Sequence, residues 1–139
     1  MTNYKEKIYL TSRGLEKLKE EYERILRMRD NDDDPENLIL LNQRFEELSV
    51  VLKTYELIKP PPKNKQHFVS LGATVIVEVD SQIDEFIIVG TLEANPSLGR
   101  ISNESPVGRA LLGHKIGEGV LISSAIKTIY KIKEIKYEL

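Results

Sequence analysis

Cysteine and tryptophan are both missing from the 139 residues. Without thiols there can be no disulfide framework and no thiolate metal site, and the composition suits a reducing cytoplasm. His67 and His114 are the two histidines and lie far apart in sequence, so a histidine zinc site or catalytic dyad is not expected and both are read as surface residues. An excess of one charge is lacking too. Twenty basic against 22 acidic residues leave a net charge of −2, which argues against nucleic-acid binding through bulk electrostatics and favours a protein partner. No apolar run is long enough to span a bilayer, and residues 1–7 lack the apolar core of a signal peptide. A soluble, cytoplasmic protein with no membrane partner is therefore expected. Phosphate-cradling loops and nucleophile motifs are likewise absent.

What is present falls into two halves with different periodicities. Thr11 or Ser12 can cap a helix whose apolar residues Leu15, Leu18, Tyr22 and Ile25 recur at three- and four-residue steps. That pattern stops at Arg29 and gives way to Asp30, Asn31, Asp32, Asp33, Asp34 and Pro35, where the chain must reverse. A second periodic run follows with Leu38, Leu41, Phe45, Leu48, Leu52 and Tyr55 on one face. Two such helices, each of roughly 18 to 22 residues, can zip antiparallel along about 30 Å. Three consecutive prolines, Pro60 to Pro62, then break the pattern. Beyond them come short β-rich runs at 74–79, 85–89, 120–122 and 128–135, with a short helix at 106–112 entered by Pro106 and closed at Gly113. The expected fold is α+β: an antiparallel helical coiled-coil hairpin with an acidic tip (1–59), a Pro-rich linker (60–66), and a small antiparallel sheet domain with one helix (67–139).

The acidic turn is the sharpest chemical candidate. Asp30, Asp32, Asp33, Asp34 and Glu36 crowd together with no basic residue among them, which costs repulsion unless something cationic offsets it. Helix capping by Asp34, with Pro35 at the first helical position and Glu36 in the first turn, explains part of this crowding. Carboxylates at the end of a helical hairpin can also help bind a divalent ion whose other ligands lie on a partner. Just behind the turn, Arg24, Arg27, Arg29 and Arg44 gather on the two arms. They can meet RNA phosphates or the acidic walls of a channel, or they can pair with Glu20, Glu23 and Glu47. In the second half, Gly108, Gly113 and Gly117 are read as residues of tight turns and close packing, with Leu111 and Leu112 filling the core.

Two stretches carry a resemblance to a known family. Ser105-Pro106-Val107-Gly108-Arg109-Ala110-Leu111-Leu112-Gly113, continuing to Glu118, resembles the signature of the C-terminal domain of Gre-type transcription elongation factors. Thr11-Ser12-Arg13-Gly14-Leu15, continuing to Glu21, resembles the start of that family's N-terminal coiled coil. At the turn, Asp33-Asp34-Pro35-Glu36-Asn37 has the spacing of the family's Asp-x-x-Glu-Asn tip motif. The resemblance implies an FKBP-like C-terminal domain that docks on the β′ rim of the secondary channel of bacterial RNA polymerase. It also implies a coil that enters the channel. Asp33 and Glu36 would then help hold a Mg²⁺ shared with polymerase during cleavage of backtracked RNA. On this reading the chain binds no cofactor alone, is not itself an enzyme, and meets nascent RNA only indirectly. Docking candidates are Ser105, Pro106, Gly108, Arg109, Asn95 and Pro96; Arg27, Arg29 and Arg44 are the candidates for RNA or channel contact.

Two alternatives come with the resemblance. The coil is shorter than the family's by about ten residues per arm, on the order of 15 Å, and Leu38-Ile39 replaces a more polar stretch. A short coil on this C-terminal domain is similar to the Rnk-type regulators, which occupy the channel without stimulating cleavage. The FKBP-like fold raises a prolyl isomerase as an alternative of a different class. Phe68, Phe86, Tyr130 and Tyr137, with no tryptophan, make a sparse lining for such a pocket.

Overall fold

A computed structural model of the chain describes residues 7–123 and 127–139. The chain divides between Leu57 and Ile58 into two compact units.

The first unit is a helical hairpin closed at its base by a two-stranded ribbon. Strand β1 (Ile8–Leu10) leads into α1 (Ser12–Asn31); α2 (Pro35–Thr54) leads directly into β2 (Tyr55–Leu57). Thr11 is the N-cap of α1, its hydroxyl accepting from the Gly14 amide at 3.0 Å. Asp34 caps α2, with Pro35 at the first position, where its missing N–H leaves no bond unmade. Each helix has 20 residues, about 30 Å at the helical rise. Along the seam only Ile25 and Leu48 are fully buried, because two helices without a third layer cover a single narrow stripe.

The sequence pattern placed Tyr55 in the seam of the second helix, but the helix stops one residue earlier. Thr54 turns its hydroxyl back onto the Val50 carbonyl at 2.8 Å, and Tyr55 takes extended backbone as the C-cap. Strand β2 then pairs parallel with β1, Ile8 opposite Tyr55 and Leu10 opposite Leu57, and Lys7 closes the ribbon on Glu56 at 3.1 Å. Neither three-residue strand shows a period from which it can be read.

The second unit is a five-stranded sheet of order β5-β4-β3-β7-β6, from β3 (Thr74–Val79), β4 (Gln82–Val89), β5 (Arg100–Ser102), β6 (Gly119–Ile122) and β7 (Thr128–Lys136), with α3 (Pro106–Leu111) beside it. The expectation of a purely antiparallel sheet is corrected at one edge. Strand β5 pairs parallel with β4, Ile87 opposite Arg100 and Val89 opposite Ser102. The connection between them runs through two 3-10 turns, Thr91–Glu93 and Pro96–Leu98, which bring the chain round to the same direction. Strands β3 and β4 are joined by a tight turn with Asp80 and Ser81 both at positive φ, 51° and 65°, the twist that two-residue hairpins require. The core gathers Val75, Val77, Ile88, Leu111, Val120, Ile122 and Ile132, all nearly or wholly excluded from solvent. Tyr137 ties the last strand down: its hydroxyl donates to the Phe68 carbonyl at 2.6 Å and accepts from the Ser70 amide at 2.8 Å.

Candidate functional site

The acidic turn is built by a division of labour among its carboxylates. Asp32 accepts from the Asp34 amide through one oxygen at 2.9 Å and from the Asn37 side-chain amide through the other at 3.1 Å, so it staples the turn to the first turn of α2. Asp34 caps that helix, accepting from the Glu36 amide at 3.0 Å. Asp30 lies 4.0 Å from Arg29. Asp33 and Glu36 are different: both are exposed, and neither carboxylate has a hydrogen bond or ion pair. Capping therefore accounts for Asp32 and Asp34 and leaves over the two residues at the motif's spacing. Asp32 and Asn37 were not singled out as turn-locking residues from sequence, although an Asp two residues before a backbone N–H is a known turn former. Ile39 and Leu40 follow within one turn, 60% and 64% exposed. Among the described residues no group of three or more His, Asp or Glu is placed to hold a metal ion.

Behind the turn the arginines separate. Arg44 reaches from α2 to Glu21 on α1 with a two-pronged contact, Nε to Oε2 at 2.7 Å and Nη2 to Oε1 at 2.9 Å, and also meets Glu47 at 3.1 Å. The hydrogen-bonded guanidinium holds the Glu21 carboxyl below its ordinary value, and the two acids push Arg44 upward. Arg29, on α1, lies with its guanidinium carbon 4.4 Å from the centre of the Phe45 ring on α2, which stacks on Tyr22 at 5.2 Å. Glu21, one residue from Glu20, is thus the acid that pairs across the arms. Only Arg27 of the three candidates is exposed with an uncommitted guanidinium.

In the second unit the docking candidates also separate. Ser105 is the N-cap of α3, accepting from the Gly108 amide at 3.1 Å and donating to the Ser102 carbonyl at 2.7 Å. Pro106, Arg109, Asn95 and Pro96 are exposed. Gly108 is buried, and a Cβ there would run into the Ser102 carbonyl, so the glycine serves close packing of α3 against β5. Leu92 and Leu98, 55% and 64% exposed on the two 3-10 turns either side of Asn95, are apolar neighbours that sequence reading passed over. His114 is half-buried and lies 3.4 Å from Glu118. Glu118 is held below the ordinary glutamate value, first by the Lys115 backbone amide at 2.6 Å and then by His114. Of the four aromatics, Phe86 and Tyr130 stack at 6.1 Å against the core and Tyr137 is tied by its hydroxyl. Three of the four are committed to packing, not to lining a pocket.

These features define a two-unit chain: a helical hairpin ending in two uncommitted carboxylates, and a small α+β domain carrying a short helix capped by Ser105. Comparison with known proteins takes this further. Residues 63–137 match the family model described as the C-terminal region of transcription elongation factor GreA/GreB. The transcription elongation factor GreA of Thermomicrobium roseum is 39% identical over 146 residues, covering 90% of this chain and 94% of that protein. The GreA of Thermodesulfovibrio yellowstonii is 34% identical over 157 residues, covering 96% of this chain and 99% of its own. A solved GreA/GreB structure from Nitrosomonas europaea is 23% identical with a TM-score of 0.48, covering 94% of this chain and all of that one. The chain belongs to the GreA/GreB family of transcription elongation factors.

Proposed function

We propose that the chain acts in the cytoplasm by binding RNA polymerase at the β′ rim of the secondary channel through its C-terminal unit, and that its hairpin stimulates cleavage of backtracked RNA. The polymerase performs the chemistry, and nascent RNA is met only at the tip. The observation that carries this reading is the pair left over at the turn. Asp33 and Glu36 need break no internal hydrogen bond to engage a ligand, whereas Asp32 and Asp34 would. Their donor set fits Mg²⁺, which takes hard oxygen ligands and commonly uses one or two carboxylates with the rest supplied by substrate or water. Two carboxylates do not make a site alone, so Asp33 and Glu36 would hold the ion jointly with polymerase. An ion there supplies positive charge to the attack of water on a phosphodiester. The chain's part is to present the carboxylates, fixed by the Asp32 staple and the Asp34 cap. Ser105, Pro106, Arg109, Asn95 and Pro96 are the proposed docking surface, with Arg27 facing the channel or RNA.

A second reading, occupation of the channel without cleavage, is favoured by length. The alignment with the Thermomicrobium factor runs over 146 positions while only 90% of a 139-residue chain enters it, so the relative has residues with no counterpart here. The test is RNA release from a stalled, backtracked polymerase of the same organism, with wild type, Asp33→Ala and Glu36→Ala compared at fixed Mg²⁺. Stimulation by wild type is expected to fall about 100-fold in either variant, the scale of losing a positioned catalytic group, with polymerase affinity unchanged. Binding without any stimulation would establish the second reading instead.

A further inference from the structure

We infer that Arg44 and Arg29 are positioning residues, which fasten the two arms behind the acidic turn and so fix the placement of Asp33 and Glu36, and that they do not contact RNA. The need for fasteners follows from the seam. Most helical stability in proteins comes from packing an apolar face rather than from propensity. Here that face is thin. Leu15, Leu18, Tyr22, Leu38, Leu41, Phe45 and Leu52 are only half-buried, leaving Ile25 and Leu48 as the fully buried pair.

The polar contacts that cross between the arms flank the one well-buried stretch of the seam, within about a turn of Ile25 and Leu48, and they are reciprocal. Arg44 reaches from α2 to Glu21 on α1; Arg29 reaches from α1 to Phe45 on α2, the next residue after Arg44. A guanidinium fork on a carboxylate fixes direction as well as distance, which a lysine ammonium cannot do. Stacking of the other guanidinium on a ring that itself stacks on Tyr22 locks the Phe45 rotamer between the arms. Both guanidinium groups are thereby engaged by partners within the hairpin itself. Of the three contact candidates, Arg27, exposed and uncommitted, remains available to an outside partner.

The consequence for cleavage rests on the polymerase reading above; the fastening does not, and the experiment keeps the two apart. The variants are Glu21→Arg, Arg44→Glu, the double exchange, and Arg44→Lys, which keeps the charge but loses the fork. Because the chain has no cysteine, nitroxides can be placed through Met28→Cys and Leu40→Cys, two exposed positions on opposite arms. Narrow distance distributions are expected in the parent and the double exchange, and broad ones in both single reversals and in Arg44→Lys. Circular dichroism reports whether each variant keeps its helices. In the cleavage assay the maximal rate at saturating factor should drop on the order of tenfold or more in the same three variants, the scale of a misplaced catalytic group. The half-saturating concentration should hold, and the double exchange should recover most of the rate. The inference is overturned if the label distances stay narrow in the single variants, or if the rate remains lost in the double exchange while Arg44→Lys is normal, which is the signature of a direct phosphate contact. Absence of cleavage by the parent would sink the cleavage reading alone, and the label distances would still decide the fastening.

Discussion

Gly108 shows how tightly a single position is held in this chain. It sits in the first turn of α3, under the carbonyl of Ser102 on β5, and Ser105 is hydrogen-bonded to both: its hydroxyl donates to Ser102 and accepts from Gly108. An added methyl would meet backbone, not a side chain that can swing aside. Gly108→Ala is therefore expected to destabilise the C-terminal unit by about 1 to 3 kcal/mol, the usual range for forcing an extra group into packed structure. Urea denaturation of wild type and variant measures it, and an unchanged midpoint would mean that β5 can retreat from α3 at little cost. The same geometry explains why a residue in the family signature is absent from the surface. The spacing of the Pro and Gly residues between Ser105 and Gly113 identified the segment, but whether a glycine there is exposed depends on what lies over it, and β5 was not legible. Three residues of strand in a stretch rich in Asn, Ser and Gly give too short an alternation to read. At the acidic turn the reverse holds. The motif's spacing pointed to Asp33 and Glu36 directly, while the reason they stay free lies in the hydrogen bonds that Asp32 and Asp34 make.

The two helices were legible almost to the residue, since capping residues and heptad-like spacing are local signals: Thr11 starts one helix, and Asp34 with Pro35 starts the other. The short strands that close the base were not, because Ile8 finds Tyr55 only after the intervening chain has folded back. Charge pairing across the arms was half legible. The arginines and glutamates stood out, but the choice of Glu21 over Glu20 or Glu23 depends on the rotation of each helix about its axis. That choice has a pH signature. The carboxyl of Glu21 is held below its ordinary value of 4.5 by the Arg44 hydrogen bond. For an acid whose pKa is depressed by folding, the stabilisation is fully present above the unfolded-state value and is lost as pH falls through the folded one. The gap in thermal stability between wild type and Glu21→Gln, read by helical circular dichroism, is thus expected to be constant from neutral pH down to about 4.5 and to close below it. Its size should be about 1 kcal/mol or less, since both partners are partly exposed to solvent. A gap that does not change with pH would show that the glutamine disturbs packing and that the ion pair contributes nothing.

For the whole chain the question is how the work divides between its two units. All eleven residues of the hydrophobic core cluster lie between Val69 and Ile135, within the second unit, and none comes from the hairpin. A fragment beginning at Ile58 therefore retains every residue of that cluster, and domains of its size commonly fold alone. The family match covers residues 63–137, nearly all of the same unit. The carboxylates at the acidic turn belong wholly to the other unit, which has a thin seam and leans on its caps and cross-arm contacts. If the C-terminal unit supplies the affinity and the hairpin supplies the chemistry, removing residues 1–57 separates the two. The fragment is expected to melt cooperatively and to bind polymerase within a few-fold of the full chain while giving no stimulation of RNA cleavage. It should also compete with the full chain and suppress its activity. A cooperatively folded fragment that no longer binds would place the affinity in the hairpin and overturn this division. A fragment that binds and still stimulates would remove any role for Asp33 and Glu36.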